Sequence, residues 1–118
     1  MSDAQVFCAS HTILYITPKH HKSEMEHSKE LMNLAADNIR ILAASMVERA
    51  KSGHPGGAMG GADFINVLYS EFLNFDPDCP TWACRDRFFL DPGHMSPMLY
   101  SQLALIGNYT IDDLKNFR

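Results

Sequence analysis

The sequence predicts an α/β fold that is mostly helical, with one short buried strand. Three observations predict this class. Apolar residues recur at helical spacing through residues 25–51, and glycines and prolines divide much of the remainder into shorter helical segments. Residues 87–90, Arg-Phe-Phe-Leu, form a compact apolar run typical of a buried strand. Since a lone buried strand leaves its backbone groups unpaired, we expect its partner strands to lie beyond Arg118.

Composition limits the classes of function. A chain of 118 residues, 46% hydrophobic and 20% charged, is long enough for at most one globular domain. Its ten basic residues are scattered among fourteen acidic ones, giving a net charge of −4, so we expect no nucleic-acid partner. No apolar run approaches the length of a membrane span. We therefore expect a cytoplasmic protein with no membrane partner.

Residues 1–24 differ in character from the rest. The segment Ala4–Thr17 is apolar enough to imitate the core of a signal peptide, but no basic segment precedes it and His11 interrupts it. We interpret 1–24 as an atypical, poorly ordered tail, or as upstream sequence translated from a misassigned start, since Met25 stands at the beginning of the first predicted helix.

The first predicted helix covers residues 25–51. Ser23 and Glu26 have the spacing of a capping box at its start, and Gly53 and Pro55 end it. Its apolar stripe consists of residues at intervals of three or four: Leu31, Ala35, Ile39, Leu42, Met46 and Ala50.

Three further helices are predicted. One begins between residues 59 and 61 and ends at residue 73. Its inward side chains are predicted to be Phe64, Ile65, Leu68 and Phe72. Residues 74–85 form a loop before the strand. Another helix runs over 94–106 and ends at Gly107, and a short one over 111–117 is capped by Thr110 and Asp113.

Two histidine turns are the candidate functional residues. His54 lies in Ser52-Gly53-His54-Pro55-Gly56, and His94 ends Asp91-Pro92-Gly93-His94, each next to the start of a predicted helix. Backbone NH groups at a helix start are unpaired and favour anions such as phosphates. The pair therefore indicates part of a phosphate-handling active site. On the residues alone, an ordinary turn histidine is the simpler interpretation of His54.

From residue 31 to 118 the sequence resembles the start of transketolase, a thiamine-diphosphate enzyme. The residues that carry the resemblance, in order, are Asn38-Ile39-Arg40, Lys51-Ser52-Gly53-His54-Pro55-Gly56, Val67-Leu68-Tyr69, Asn74-Phe75-Asp76-Pro77, Arg85-Asp86-Arg87-Phe88, Gly93-His94, Leu99-Tyr100 and Asp113-Leu114-Lys115-Asn116-Phe117-Arg118. The resemblance implies that 25–118 is an incomplete, N-terminal part of a thiamine-diphosphate-binding fold.

The resemblance also implies roles. His54 is expected to face the sugar substrate as a catalytic residue, and Gly93 and His94 to contact the diphosphate of thiamine diphosphate. The family belongs to carbohydrate metabolism, in the pentose phosphate pathway, and transfers a two-carbon ketol unit from a ketose phosphate to an aldose phosphate. Mg²⁺ is implied as a second cofactor, with no ligand in this chain. The complete enzyme is expected to be a homodimer that acts on sugar phosphates.

Several positions depart from the commonest family pattern. Gly57-Ala58 replaces Ala-Pro, Asp63 replaces a small residue or proline, Asp91-Pro92 replaces Ser-Asn, and Met95-Ser96-Pro97 replaces small apolar residues. Both histidines are intact.

Two other interpretations remain open beside the enzyme. Because the metal site and most catalytic residues of the family are missing, we expect the 118-residue chain to be inactive by itself. One interpretation is a truncated gene product, which is compatible with the enzyme. The other is a non-catalytic interaction module that associates through its long first helix.

Overall fold

The computed structural model describes residues 29–118. The helices are α1 (Lys29–Ala50), α2 (Pro55–Gly60), α3 (Ala62–Val67), α4 (Ser96–Leu105) and α5 (Ile111–Leu114), with a π-helical turn at Leu68–Phe72 and a 3-10 turn at Gly93–Met95. Helices α2, α3 and α4 all pack against α1, the longest of them. The predicted cap at Ser23 and Glu26 and the predicted tail over 1–24 lie outside the described residues.

The core lies where α1 meets the shorter helices. Its fully buried members are Ala36, Ile39, Ala43, Ala58, Ala62, Ile65 and Met98. On α1 the buried residues include Ile39 and Met46, as predicted, but Leu31 is 52% exposed. The predicted stripe used mostly steps of four, and each such step turns the side chain by about 40° around the helix. The observed buried set alternates three and four, which keeps it on one face.

The second predicted helix, from 59–61 to 73, corresponds to the end of α2, to α3 and to the π-helical turn, and α2 begins at Pro55, earlier than predicted. Ile65 is buried as predicted, whereas the inward orientation of Phe64 and Phe72 is wrong, since they are 59% and 67% exposed. The inward place beside Ile65 belongs to Asn66, whose Nδ2 donates to the Met32 carbonyl oxygen at 3.1 Å. Because a polar residue occupies this place, apolarity alone assigned the wrong face.

The buried strand predicted at 87–90 is not found. Within the described part of the chain, residues 86–92 form neither helix nor strand. Phe88 and Leu90 pack on the core while Phe89 is 84% exposed, so the in–out alternation of a strand is present. A strand also requires a ladder of backbone hydrogen bonds to a neighbour, and no strand is found among residues 29–118; the nearest approach to one is the single bond from the Asp86 amide to the Asn74 carbonyl oxygen at 2.8 Å. Both parts of the prediction are therefore wrong: Phe88 and Leu90 are only half-buried, Arg87 and Phe89 are exposed, and the run is not paired as a strand.

The last two helices agree well with prediction. Helix α4 is followed by Gly107 in a left-handed conformation, with φ of +89°. At α5 the predicted capping box is confirmed: the Asp113 amide donates to Thr110 Oγ1 at 3.1 Å, and the Thr110 amide donates to Asp113 Oδ2 at 2.8 Å. The hydrogen bonds from Thr110 hold the pKa of the Asp113 carboxyl below its ordinary value. The helix itself ends at Leu114, earlier than predicted.

None of the helices found over residues 29–118 combines the length and the apolarity that crossing a bilayer requires.

Candidate functional site

His54 and His94 reach the site from two different local structures. His54 is the residue before α2, in an extended conformation, and follows Gly53, whose φ of +122° is favourable only for glycine. Its side chain makes no hydrogen bond to the helix end. His94 lies in the 3-10 turn that leads into α4. Both histidines therefore adjoin a helix start, as predicted.

The two imidazole rings face each other. Their centroids are 6.1 Å apart and their planes are nearly perpendicular, at 86°. Both side chains are exposed, and together with Pro55, Gly56 and Gly57 they line an open cleft of about 610 Å³. Residues 40 positions apart in sequence thus share one cleft, and both rings remain accessible to a ligand.

Close packing between α2 and the segment that carries His94 produces this arrangement. A Cβ atom added to Gly57 would lie 3.2 Å from Met95 Cγ and 3.8 Å from His94 Nε2. At Gly61, the residue between α2 and α3, an added Cβ would overlap Met98 Sδ. Glycine at these two positions allows α2 to approach the 3-10 turn and α4 closely.

Gly93 has different surroundings. An added Cβ at Gly93 would meet no heavy atom of the described chain within 4 Å. The space beside its backbone is therefore open to a ligand. In the same turn the Met95 amide donates to the Pro92 carbonyl oxygen at 2.8 Å, which fixes the loop that presents His94.

Metal-binding groups are not assembled at this cleft. Within residues 29–118, no three His, Cys, Asp or Glu side chains are grouped closely enough to hold a metal ion. The polar groups that line the cleft are imidazoles and backbone groups, whose N–H donors can bind an anion or a hydroxylated ligand.

Sequence reasoning missed the part that Gly57 and Met95 play in shaping the cleft. The signal was available, because both positions depart from the common family pattern, but nothing in the spacing indicated that the Met95 side chain would lie beside Gly57.

Comparison with known proteins decides the family. A family model described as the thiamine diphosphate binding domain of transketolase matches residues 31–118. The chain belongs to the transketolase family. The predicted resemblance, including its boundaries, is therefore confirmed.

Individual transketolases are similar to this chain in sequence. The chain is 45% identical over 92 residues to transketolase of Aquifex aeolicus (strain VF5), covering 77% of this chain and 13% of that protein. It is 48% identical over 95 residues to transketolase 1 of Escherichia coli (strain K12), covering 80% and 14%. It is 51% identical over 84 residues to transketolase 1 of Pasteurella multocida (strain Pm70), covering 70% and 13%. The chain thus spans about one-seventh of the length of these transketolases.

Proposed function

We propose that this chain supplies the amino-terminal part of a transketolase active site, which transfers a two-carbon ketol unit from a ketose phosphate to an aldose phosphate. The observation that carries the proposal is the pair of exposed imidazoles 6.1 Å apart in one cleft. When bound, thiamine diphosphate supplies the stabilised carbanion that such a transfer needs. The proposed task of this chain's own residues is to bind the diphosphate and to orient the sugar.

Gly93 and His94 are the residues proposed to hold the diphosphate. The open space beside Gly93 admits an anion close to the backbone, and the exposed His94 ring offers an N–H donor. A hydrogen bond to a charged group contributes roughly 1.5–3 kcal/mol before desolvation. These features fit a diphosphate oxygen better than a bulky apolar group.

His54 is proposed to act on the sugar side of the cleft. Its imidazole can donate or accept a hydrogen bond, as orientation of sugar hydroxyls requires. Since its side chain is not engaged in capping α2, the ring remains available for a substrate.

The complete site requires more than this chain. Micromolar binding corresponds to about 8 kcal/mol, which one or two charge-assisted hydrogen bonds do not reach. Mg²⁺, its ligands and the rest of the pocket are therefore proposed to come from the remainder of a full-length, homodimeric transketolase. The isolated chain is expected to be inactive.

A chimera tests the proposed roles. Residues 31–118 replace the matching segment of E. coli transketolase 1, which is 48% identical to this chain. Thiamine-diphosphate affinity is then measured by equilibrium titration at fixed Mg²⁺, and ketol transfer by steady-state kinetics. His94→Ala should weaken cofactor binding by at least about tenfold, the equivalent of one hydrogen bond to a charged group. His54→Ala should leave the cofactor Kd unchanged and lower kcat/KM. Unchanged cofactor affinity in His94→Ala would show that the role given to His94 is wrong.

An interaction module is the second candidate, and one surface favours it. Phe64, Val67 and Phe72 are exposed and line an apolar groove of about 340 Å³ together with Leu68. Sedimentation of the 118-residue chain distinguishes the two candidates. A stable oligomer of defined size, with no dependence on thiamine diphosphate, would favour the module.

A further inference from the structure

We propose that Arg118 is a positioning residue that fixes the turn carrying His54, while Arg49 anchors the segment from which Arg118 extends. The inference rests on the proposed function only in giving His54 a substrate to face, because the contacts themselves are independent of any ligand. Neither arginine lines the cleft between the two histidines.

Two hydrogen bonds join the end of α1 to the carboxyl-terminal segment of the chain. Arg118 Nη1 donates to Ser52 Oγ at 3.1 Å, and Arg49 Nε donates to the Lys115 carbonyl oxygen at 3.0 Å. Each bond connects residues 66 positions apart. The Arg118 guanidinium also lies 5.3 Å from the centroid of the Phe117 ring, which restricts where it can point.

The turn between α1 and α2 requires such support. Lys51 has φ of +50° and Gly53 has φ of +122°, so Ser52 is flanked by two residues in conformations with positive φ. A non-glycine residue with positive φ persists only when its surroundings determine it. Since the His54 side chain makes no capping bond, the turn backbone sets the position of its ring. Arg118 holds the one hydroxyl within this turn.

Nuclear magnetic resonance of the full 118-residue chain tests the proposal. The readout is the nuclear Overhauser effect between the His54 and His94 imidazole protons, which reports their approach and not stability in general. Ser52→Ala and Arg118→Met should each lower the equilibrium constant for holding the turn about two- to fivefold, the range for an exposed charged contact. The inter-ring signal should weaken accordingly, and Ser52→Thr, which keeps the hydroxyl, should restore it.

Arg87→Met is the matched control, because it removes an equal charge from an exposed arginine outside the turn. It should leave the inter-ring signal unchanged. An undiminished signal in both Ser52→Ala and Arg118→Met would overturn the proposal. If Arg118→Met does not fold, Ser52→Ala removes the same bond from its other end and decides the matter.

The chimera provides a second test of the proposal. This test can be used even if the NMR signals of the 118-residue chain are too poorly dispersed to assign. There, Ser52→Ala should lower kcat/KM for the sugar by about two- to fivefold with an unchanged thiamine-diphosphate Kd. Equal kcat/KM in Ser52→Ala, Arg118→Met and the parent chimera would refute positioning. Failure of the His94→Ala titration would instead refute the proposed function, so the two failures are distinguishable.

Discussion

Gly61→Ala is the substitution that most sharply tests how α2 and α4 approach each other. A Cβ at this position would overlap Met98 Sδ, and would lie 3.3 Å from Met95 Cε and 3.4 Å from the Gly57 carbonyl oxygen. Met98 is only 1% exposed, so its side chain has little room to withdraw. Gly60, the preceding residue, is the natural control, because an added Cβ there meets nothing within 4 Å.

The expected magnitudes have opposite signs at the two positions. Replacing a compatible glycine by alanine stabilises a protein by about 0.4–1 kcal/mol, mainly by restricting the unfolded chain, and Gly60→Ala should show this gain. Overpacking a well-filled core costs about 1–3 kcal/mol, which outweighs that gain at Gly61. The free energy of unfolding should therefore be lower in Gly61→Ala than in Gly60→Ala by about 1–3 kcal/mol.

Urea denaturation followed by circular dichroism measures this difference. The clash is tested further by Met98→Ala, which removes the overlapping sulfur. The double variant Gly61→Ala with Met98→Ala should lose less stability than the sum of the single variants, by about 0.5–3 kcal/mol. Equal stability of Gly61→Ala and Gly60→Ala would refute the packing argument, as would strict additivity in the double variant.

Three other predictions concern the core, the cleft and the last helix. Gln102→Leu should raise the free energy of unfolding by about 1 kcal/mol in urea denaturation, because Gln102 Oε1 is buried without a hydrogen-bond partner among the described residues. Gly57→Ala should shift the amide resonances of Met95 and His94 relative to the parent chain, since an alanine Cβ would lie 3.2 Å from Met95 Cγ and 3.8 Å from His94 Nε2. The lowered pKa of Asp113 contributes stability above its unfolded pKa, and this stability is lost as the pH falls through the folded pKa. Thr110→Ala should weaken that pH dependence in acid denaturation, and cost about 1 kcal/mol at neutral pH through loss of the cap.

Local signals predicted the start of α5, the stop after α4 and the two histidine turns well, but not the start of α2 or the end of α5. The capping box at Thr110 and Asp113, and the stop at Gly107, depend on residues within one or two turns of the helix. The positions of His54 and His94 next to helix starts follow from glycine and proline in the same way. Such features need no knowledge of distant contacts, so the sequence suffices for them.

The predictions were wrong where contacts between residues distant in sequence determine the local structure. Phe64 is exposed because Asn66 occupies the inward face and bonds to the Met32 carbonyl oxygen, an arrangement that depends on α1. Residues 87–90 are extended but have no strand to pair with in the described part of the chain. Apolar periodicity predicts which residues are buried. It does not predict the hydrogen-bond partner of a buried polar residue or the partner of a strand.

Three departures from the family pattern are explained by tertiary contacts. Glycine at position 57, in place of the frequent alanine, leaves room for Met95, which stands where small residues are common. A smaller residue in one segment therefore compensates for a larger one in the other. Asp63, another departure, forms an ion pair with Arg40 of α1, which also pairs with Asp37 at 2.6 Å. The structure does not explain the replacement of Ser-Asn by Asp91 and Pro92.

The central claim is that His54 and His94 face a single ligand-binding cleft. The most direct measurement is a crystal structure of the chimera with thiamine diphosphate and Mg²⁺ bound. We expect a His94 ring nitrogen within hydrogen-bond distance of a diphosphate oxygen, and the His54 ring about 6 Å from that of His94, bordering the same cleft. A cofactor bound outside this cleft would contradict the account. So would a structure in which the His54 and His94 rings lie on separate surfaces of the protein.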